Sequence, residues 1–246
     1  MAEKEKVVLS WSGGKDSALA LYELQRAGRY EVASLLTTLA QEYDRVSHHG
    51  VRSELLERQA AALRIPLEKL YIRTTSPHPC RTDDSEVMHE YEQLMDQTLL
   101  RFKAQGINTV AFGDIFLLHL RTYREERLAK RGMKAVFPIW QRDTKELAQT
   151  FIALGFKAYL SCVDREKLGE RFAGRHLDGQ FLADLPADVD SCGENGEYHS
   201  FVYEGPIFRE PVPVKVGTVV LRDSRCFADL LAGEDAGVSL GERCLA

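Results

Sequence analysis

The feature that most constrains this chain is a short segment near its start, Ser12-Gly13-Gly14-Lys15-Asp16-Ser17, set between an apolar run and a helical pattern. Lys6 to Trp11 reads as a buried strand, and the helix runs from Asp16 to about Arg26, where Gly28 stops it. Adjacent glycines let a backbone turn sharply and approach an anion closely, so that successive N–H groups at a helix N-terminus point at one place. Lys15 adds a point charge there, and Ser12 and Ser17 add hydroxyl donors. The segment is not the G-x-x-x-x-G-K-[ST] loop, because Leu9 stands where that pattern needs a glycine and Asp16 follows the lysine. The plainer alternative is a glycine turn in which Asp16 and Ser17 only cap a helix.

The pattern that follows repeats strand and helix. Val32 to Leu39 reads as a strand, and the next helix carries Leu56, Ala60 and Leu63 on one face. A short strand covers Leu70 to Arg73. A long helix then aligns Met88, Tyr91, Met95, Leu99 and Phe102 and ends near Gly106. Thr109 to Phe112 is a strand closing on Gly113-Asp114, followed by a basic helix over Leu120 to Lys134. Ala135 to Trp140 and Lys157 to Val163 read as further strands around a helix bearing Leu147, Phe151 and Leu154. Such alternation predicts an α/β fold, a doubly wound and mostly parallel sheet with helices on both sides. From about Arg165 the texture changes, and Phe201 to Arg222 reads as extended chain broken by Pro206, Pro211 and Pro213. A smaller C-terminal α+β domain is therefore expected, with boundaries at 1–140, 141–232 and a flexible tail at 233–246.

Composition removes several classes of function. A net charge of -5 argues against nucleic acid as a partner. Cys80, Cys162, Cys192, Cys226 and Cys244 are scattered without a C-x-x-C pair, which disfavours a disulfide framework or a structural zinc site. The apolar run Val7-Val8-Leu9 is too short for a signal peptide or a membrane span, so a cytoplasmic location is expected.

Ser12-Gly13-Gly14-Lys15-Asp16-Ser17 resembles the S-G-G-x-D-S signature of the PP-loop (HUP-type) ATP pyrophosphatases, which include asparagine synthetase, GMP synthetase and tRNA thiolation enzymes. The resemblance implies ATP cleaved between its α and β phosphates, with Mg2+ bridging them. Further stretches narrow it. They are Leu36-Thr37-Thr38 with His49-Gly50-Val51-Arg52, Phe112-Gly113-Asp114-Ile115 with Arg121 and Arg124, and Ser161-Cys162-Val163-Asp164. The most specific is Cys192-Gly193-Glu194-Asn195-Gly196-Glu197-Tyr198-His199-Ser200-Phe201. Together, from about Lys6 to Val216, they resemble the diphthine–ammonia ligase family. Members that make diphthamide on elongation factor 2 carry Glu-Gly-Gly-Glu-Tyr-Glu-Thr in the last stretch. Asn195 and His199 depart from that and resemble a bacterial branch associated with amidation of corrinoid precursors.

What the resemblance implies is an AMP-forming amide ligase that adenylates a carboxylate and passes ammonia to it. Ser12, Gly13, Gly14, Lys15, Asp16, Ser17, Thr37, His49, Gly113 and Asp114 would bind the nucleotide, with Asp16 and Asp114 on the metal. Lys15, Asp16, Glu194, Glu197 and His199 would be catalytic, while Arg121, Arg124, Asn195 and Tyr198 would contact the acceptor. Plainer alternatives stand beside these. Asp114 suits a helix N-cap, and Arg121 pairs with Glu125 at i, i+4 on a solvated helix. Glu194 and Glu197 suit a surface hairpin. His48 and His78 read as ordinary loop histidines. The rival functions are a PP-loop RNA-modifying enzyme, which would need a cysteine pair and a basic docking module, and a non-catalytic adenine-nucleotide sensor.

Overall fold

The first strand already divides the molecule into two faces. The structure is a computed structural model that describes residues 3–46, 49–73 and 85–234, with the backbone alone for 85–88. In β1 (Glu5–Ser10), Val7 and Leu9 join a core with Leu19 and Leu24 of α1 (Lys15–Ala27) and Leu55 and Leu56 of α2 (Ser53–Leu63). Val8 points the other way and joins Leu36, Leu70, Phe102 and Ile107. Side chains alternate along a strand, so one apolar run feeds two cores, and helices cover both faces of the sheet. Each fully buried leucine contributes about 2 kcal/mol of transfer free energy.

The remaining strands of this sheet are β2 (Tyr30–Ala40), the two-residue β3 (Arg45–Val46), β4 (Leu67–Ile72), β5 (Thr109–Ala111) and β6 (Lys134–Val136). β1 pairs in parallel with β2 and β5, β2 with β4, and β5 with β6. Only β3 runs antiparallel, against the end of β2. The helices α3 (Ser85–Ala104) and α4 (Leu118–Ala129) cover the second face, where Leu99 and Leu128 pack with Val110 and Phe112. α1 ends as its sequence predicts, with Gly28 in the left-handed region and its N–H donated to Gln25 O. The basic helix is shorter than expected, and β6 stops at Val136, because Phe137 to Gln141 forms turns.

The strand expected at Lys157 to Val163 is real, but it does not extend the parallel sheet. After α5 (Thr144–Ala153), β7 (Lys157–Asp164) enters a second, wholly antiparallel sheet of order β8-β7-β10-β9. Its partners are β8 (Tyr198–Glu204) and β10 (Arg225–Ala232), and β9 (Val214–Arg222) lies at the edge. An apolar run announces a strand buried on both faces, not the direction of its neighbours. Pro206, Pro211 and Pro213 all fall between β8 and β9, where no ladder bond is lost. The short α6 (Gly179–Asp184) is capped by the Asp178 side chain. His48, His78, Cys80, Cys244 and the tail beyond Glu234 lie outside the described residues, as does the Met88 side chain.

The second sheet packs onto the α1/α2 face of the first. Phe201, Val202, Cys226 and Leu230 belong to the same continuous core as α1 and α2. Gln59 of α2 is fully buried at this seam. Its Oε1 accepts from Trp11 Nε1 (2.9 Å), and its Nε2 donates to Gly13 O (3.0 Å) and to Val202 O (2.6 Å). A Gln59→Leu variant keeps the volume but leaves the buried indole N–H unpaired and takes one donor from each of the Gly13 and Val202 carbonyls. We expect it to lose about 2 kcal/mol of stability in urea unfolding; a loss under about 0.5 kcal/mol would mean that the bridge contributes little.

Candidate active site

In open α/β sheets, ligands sit beyond the carboxyl ends of the strands where the strand order reverses. Here that place is β1, flanked by β2 on one side and by β5 on the other. The loops leaving β1 and β5 meet there. Gly13 adopts a left-handed φ of 78°, and a Cβ on it would lie 2.6 Å from Leu56. A Cβ on Gly113 would lie 2.8 Å from the Asp16 carbonyl carbon, so the two loops touch through bare backbone.

A cavity of about 560 Å³ opens over this junction. Of the expected site residues, Ser12, Gly14, Lys15, Asp16, Ser17, Thr37, His49, Gly113, Asp114, Arg124, Glu194, Tyr198 and His199 line it. Gly13, Arg121, Asn195 and Glu197 do not. The cavity also extends between α3 and α4, past Tyr91, Met95, Leu120, Tyr123 and Arg127.

At the polar end, Lys15 is 3% exposed. Its Nζ lies 2.8 Å from Asp16 Oδ2 and 5.1 Å from the Tyr198 ring centre. Burial alone would lower its pKa, but Asp16 and Tyr198 outweigh burial and keep the ammonium charged. Burial pushes the Asp16 carboxyl up, against the opposing pull of Lys15. Asp16 Oδ1 is buried without a hydrogen-bond partner, and so is the Thr37 hydroxyl. Two orphaned oxygens on residues that line one cavity suit a ligand that supplies a cation or donors. Ser17 Oγ donates to Gly14 O (2.9 Å), and the Lys15 N–H donates to Ser200 Oγ (3.1 Å).

Asp114 is ion-paired with Arg124 (2.7 Å), whose guanidinium lies 4.3 Å from the Phe112 ring centre. Arg121 pairs with Glu125 (2.9 Å) and stacks on Phe137 and Trp140, away from the cavity. Among the described residues, no group of three or more His, Cys, Asp or Glu is arranged to hold a metal.

The second sheet supplies the opposite wall through the loop before β8. Glu194 Oε1 accepts from the N–H of Ile115 (2.8 Å) and, at 3.4 Å, of Phe116. Its carboxyl is pushed up to about 7, because burial outweighs those two donors. Glu197 turns inward instead, accepting from Asp190 N–H and from Asn195 Nδ2, both at 3.1 Å. Tyr198 donates to Ser191 O (2.6 Å). Cys192 is buried, donates to Thr144 O, and has its thiol pushed up to about 12 by that burial. Such a thiol is inert.

Sequence reasoning missed Gln59, Ser200, Asp190 and Arg127 as site residues. Ser200 was visible inside the run ending in Phe201. Asp190, whose Oδ2 accepts from the N–H groups of Cys192 and Glu194 (3.0 Å each), shapes that run from just outside it. Gln59 and Arg127 carried only helical spacing.

The Glu194 carboxyl has a measurable consequence. Its folded-state pKa lies above the ordinary carboxylate value of 4.5, so the folded state holds the proton more tightly than the unfolded chain. The stability it contributes is therefore present at low pH and lost as pH rises from about 4.5 to about 7. Glu194→Gln should flatten the stability–pH curve across that window in urea unfolding at several pH values. An unaltered curve would mean that Glu194 titrates like an exposed acid.

The family model described as the diphthamide synthase N-terminal domain matches residues 5–135, and the model of the diphthamide synthase C-terminal domain matches residues 143–231. The diphthine–ammonia ligase of Bos taurus is 27% identical over 235 residues, covering 88% of this chain and 85% of that one. That of Homo sapiens is 26% identical over the same length, with the same coverage. The Schizosaccharomyces pombe protein of the same name is 26% identical over 234 residues, which span 89% of this chain and 38% of its own. Among solved structures, a U34-tRNA thiolase from Methanococcus maripaludis superposes with a TM-score of 0.39 at 16% identity, over 62% of this chain and 58% of that one. That likeness is too partial to bear on function. With both models matched over nearly the whole described chain, this protein belongs to the diphthamide synthase family.

Proposed function

We propose that this chain is an ATP-dependent ligase that adenylates a carboxylate and transfers ammonia to it, releasing AMP and pyrophosphate. The observation that carries the reading is the meeting, in one cavity, of a buried Lys15–Asp16 pair on a glycine loop and a Glu194 carboxyl brought from the other sheet. The acceptor carboxylate oxygen attacks the α-phosphorus of ATP as the bond to the β-phosphate bridging oxygen breaks. Lys15 and the loop amides hold the departing pyrophosphate through charge-assisted hydrogen bonds. Ammonia then attacks the acyl carbon, AMP leaves, and the nitrogen gives up one proton. Glu194, with its carboxyl near neutrality, suits that proton.

The residues fit magnesium. Asp16 Oδ1 is buried without a donor, and Asp16 lines the cavity beside Lys15. Asp114, held by Arg124, would be the second carboxylate to hold the ion. When bound, the ion would supply positive charge to the phosphates. Arg124 is the better candidate for acceptor contact of the two arginines, because it lines the cavity. Glu197 and Asn195 are read as shaping the loop that presents Glu194, and Tyr198 as the platform under Lys15.

The same reading divides the chain near residue 140, in keeping with the gap between the two family models at 136–142. For the acceptor we favour a corrinoid-type acid over diphthine, because Asn195 and His199 depart from the Glu-Gly-Gly-Glu-Tyr-Glu-Thr pattern. A cytoplasmic setting fits, and no described helix is long and apolar enough to cross a membrane.

The test is product analysis with ATP, ammonium and candidate acids. AMP and pyrophosphate should form in step with amide, and Lys15→Ala and Asp16→Ala should each cut AMP formation by at least about 100-fold. Stoichiometric ADP, or normal turnover in both variants, would overturn the assignment.

A further inference from the structure

The segment between β2 and α2 carries His49, and the second sheet holds it from outside the cavity. Asp229 on β10 accepts from Arg45 Nη2 (2.9 Å) and from Arg52 Nε and Nη2 (3.0 and 2.7 Å). Hydrogen bonding from Arg52, then from Arg45, keeps the Asp229 carboxyl below the usual carboxylate range. Arg45 Nη1 also donates to Gly50 O (2.7 Å), and the Phe227 ring of β10 packs so tightly on Gly50 that a Cβ there would meet it at 2.6 Å. One carboxylate thus ties down both ends of a short segment through two planar guanidinium forks, a stiff arrangement.

The residue so fixed is His49. Its Cε1 lies 3.3 Å from where a Cβ of Gly14 would stand, so the ring rests on the phosphate loop. On its other side it stacks against His199 of β8, with ring centres 4.4 Å apart and planes at 32°. His199 precedes Ser200, which already takes the Lys15 N–H. Both imidazoles line the cavity beside Ser12 and Lys15. Imidazole N–H groups donate well to oxyanions, and the clamp sets two guanidiniums against one carboxylate beside them.

We propose that His49 and His199 form a polyphosphate subsite on the β8 side of the glycine loop, and that Asp229 is the positioning residue that seats His49 in it through Arg45 and Arg52. This assigns His199 to the nucleotide phosphates rather than to the acceptor. The proposal rests on the reading of the loop as an ATP site and gives that site a wall from β10 and β8.

The experiment is calorimetric titration of the full chain with ATP, inorganic pyrophosphate and adenosine. His49→Gln and Asp229→Ala should each weaken ATP and pyrophosphate about tenfold, the scale of a lost hydrogen bond to a charged group, and leave adenosine within about twofold. The double variant should be no weaker than either single one, because Asp229 acts through His49. His49→Gln leaves the clamp intact, so it tests the subsite even if Asp229→Ala does not fold. Unchanged pyrophosphate affinity in His49→Gln, or an equal loss of adenosine, would overturn the subsite. Additive losses in the double variant would overturn the positioning role. Wild-type protein that binds none of the three ligands would bring down the ATP reading itself, whereas wild-type binding with unmoved variants sinks only this proposal.

Discussion

The architecture turns on one seam, the contact between the glycine loop after β1 and the strand β8. A tight loop with two glycines has backbone groups that its own turn cannot satisfy. Here Gly13 O accepts from the Val202 N–H (2.9 Å) and from Gln59 Nε2, while the Lys15 N–H goes to Ser200 Oγ. The loop is therefore a bridge between two sheets and not a free-standing anion cradle. Its glycines matter twice, since a side chain at Gly13 would strike Leu56 and one at Gly14 would crowd Ser200 O at 3.0 Å. The polar bonds at the seam are few, yet they lie in the continuous apolar core that joins α1 and α2 to the second sheet. Apolar burial supplies the larger free energy there, and the hydrogen bonds fix the register.

That seam explains how a chain with its phosphate loop at one end and its acidic run near the other can build a single site. The second sheet is antiparallel and has its own order, but β8 enters it immediately after the loop that bears Glu194. Once Val202 and Ser200 are bound to Gly13 and Lys15, that loop must lie against the Gly113–Phe116 turn. Glu194 then accepts from the amides at 115 and 116. The raised pKa of Glu194 follows from the same contact, because the burial that makes the site also desolvates the carboxyl. Glu197, three residues on, spends its charge on Asp190 and Asn195 and keeps the loop in shape.

Much of the first sheet was legible in the sequence. The apolar run before Ser12, the helix stop at Gly28, the stripe through Tyr91, Met95 and Leu99, and the strand that closes ahead of Gly113-Asp114 are local signals, set by side-chain period and by glycine geometry. The second sheet was less legible. β7 was visible as a strand, yet its antiparallel pairing was not, since an apolar run is compatible with either direction. β10, with Phe227 and Asp229, gave no signal against the short polar stretches on either side of it.

The site divides in the same way. Lys15, Asp16 and the two glycines were legible in the sequence, because an anion-binding loop needs those residue types at that spacing and the spacing is short. Which acid faces the cavity, which arginine reaches it and what holds His49 in place were decided only by tertiary structure. Glu194 and Glu197 are equivalent on paper, as are Arg121 and Arg124. Their tertiary partners separate them: Glu197 turns to Asp190 and Asn195 while Glu194 meets the amides at 115 and 116. Arg121 stacks on Phe137 and Trp140 while Arg124 pairs with Asp114. Contacts such as Arg52 to Asp229, 177 residues apart, depend on how two sheets pack, and packing is a property of the whole core rather than of any segment.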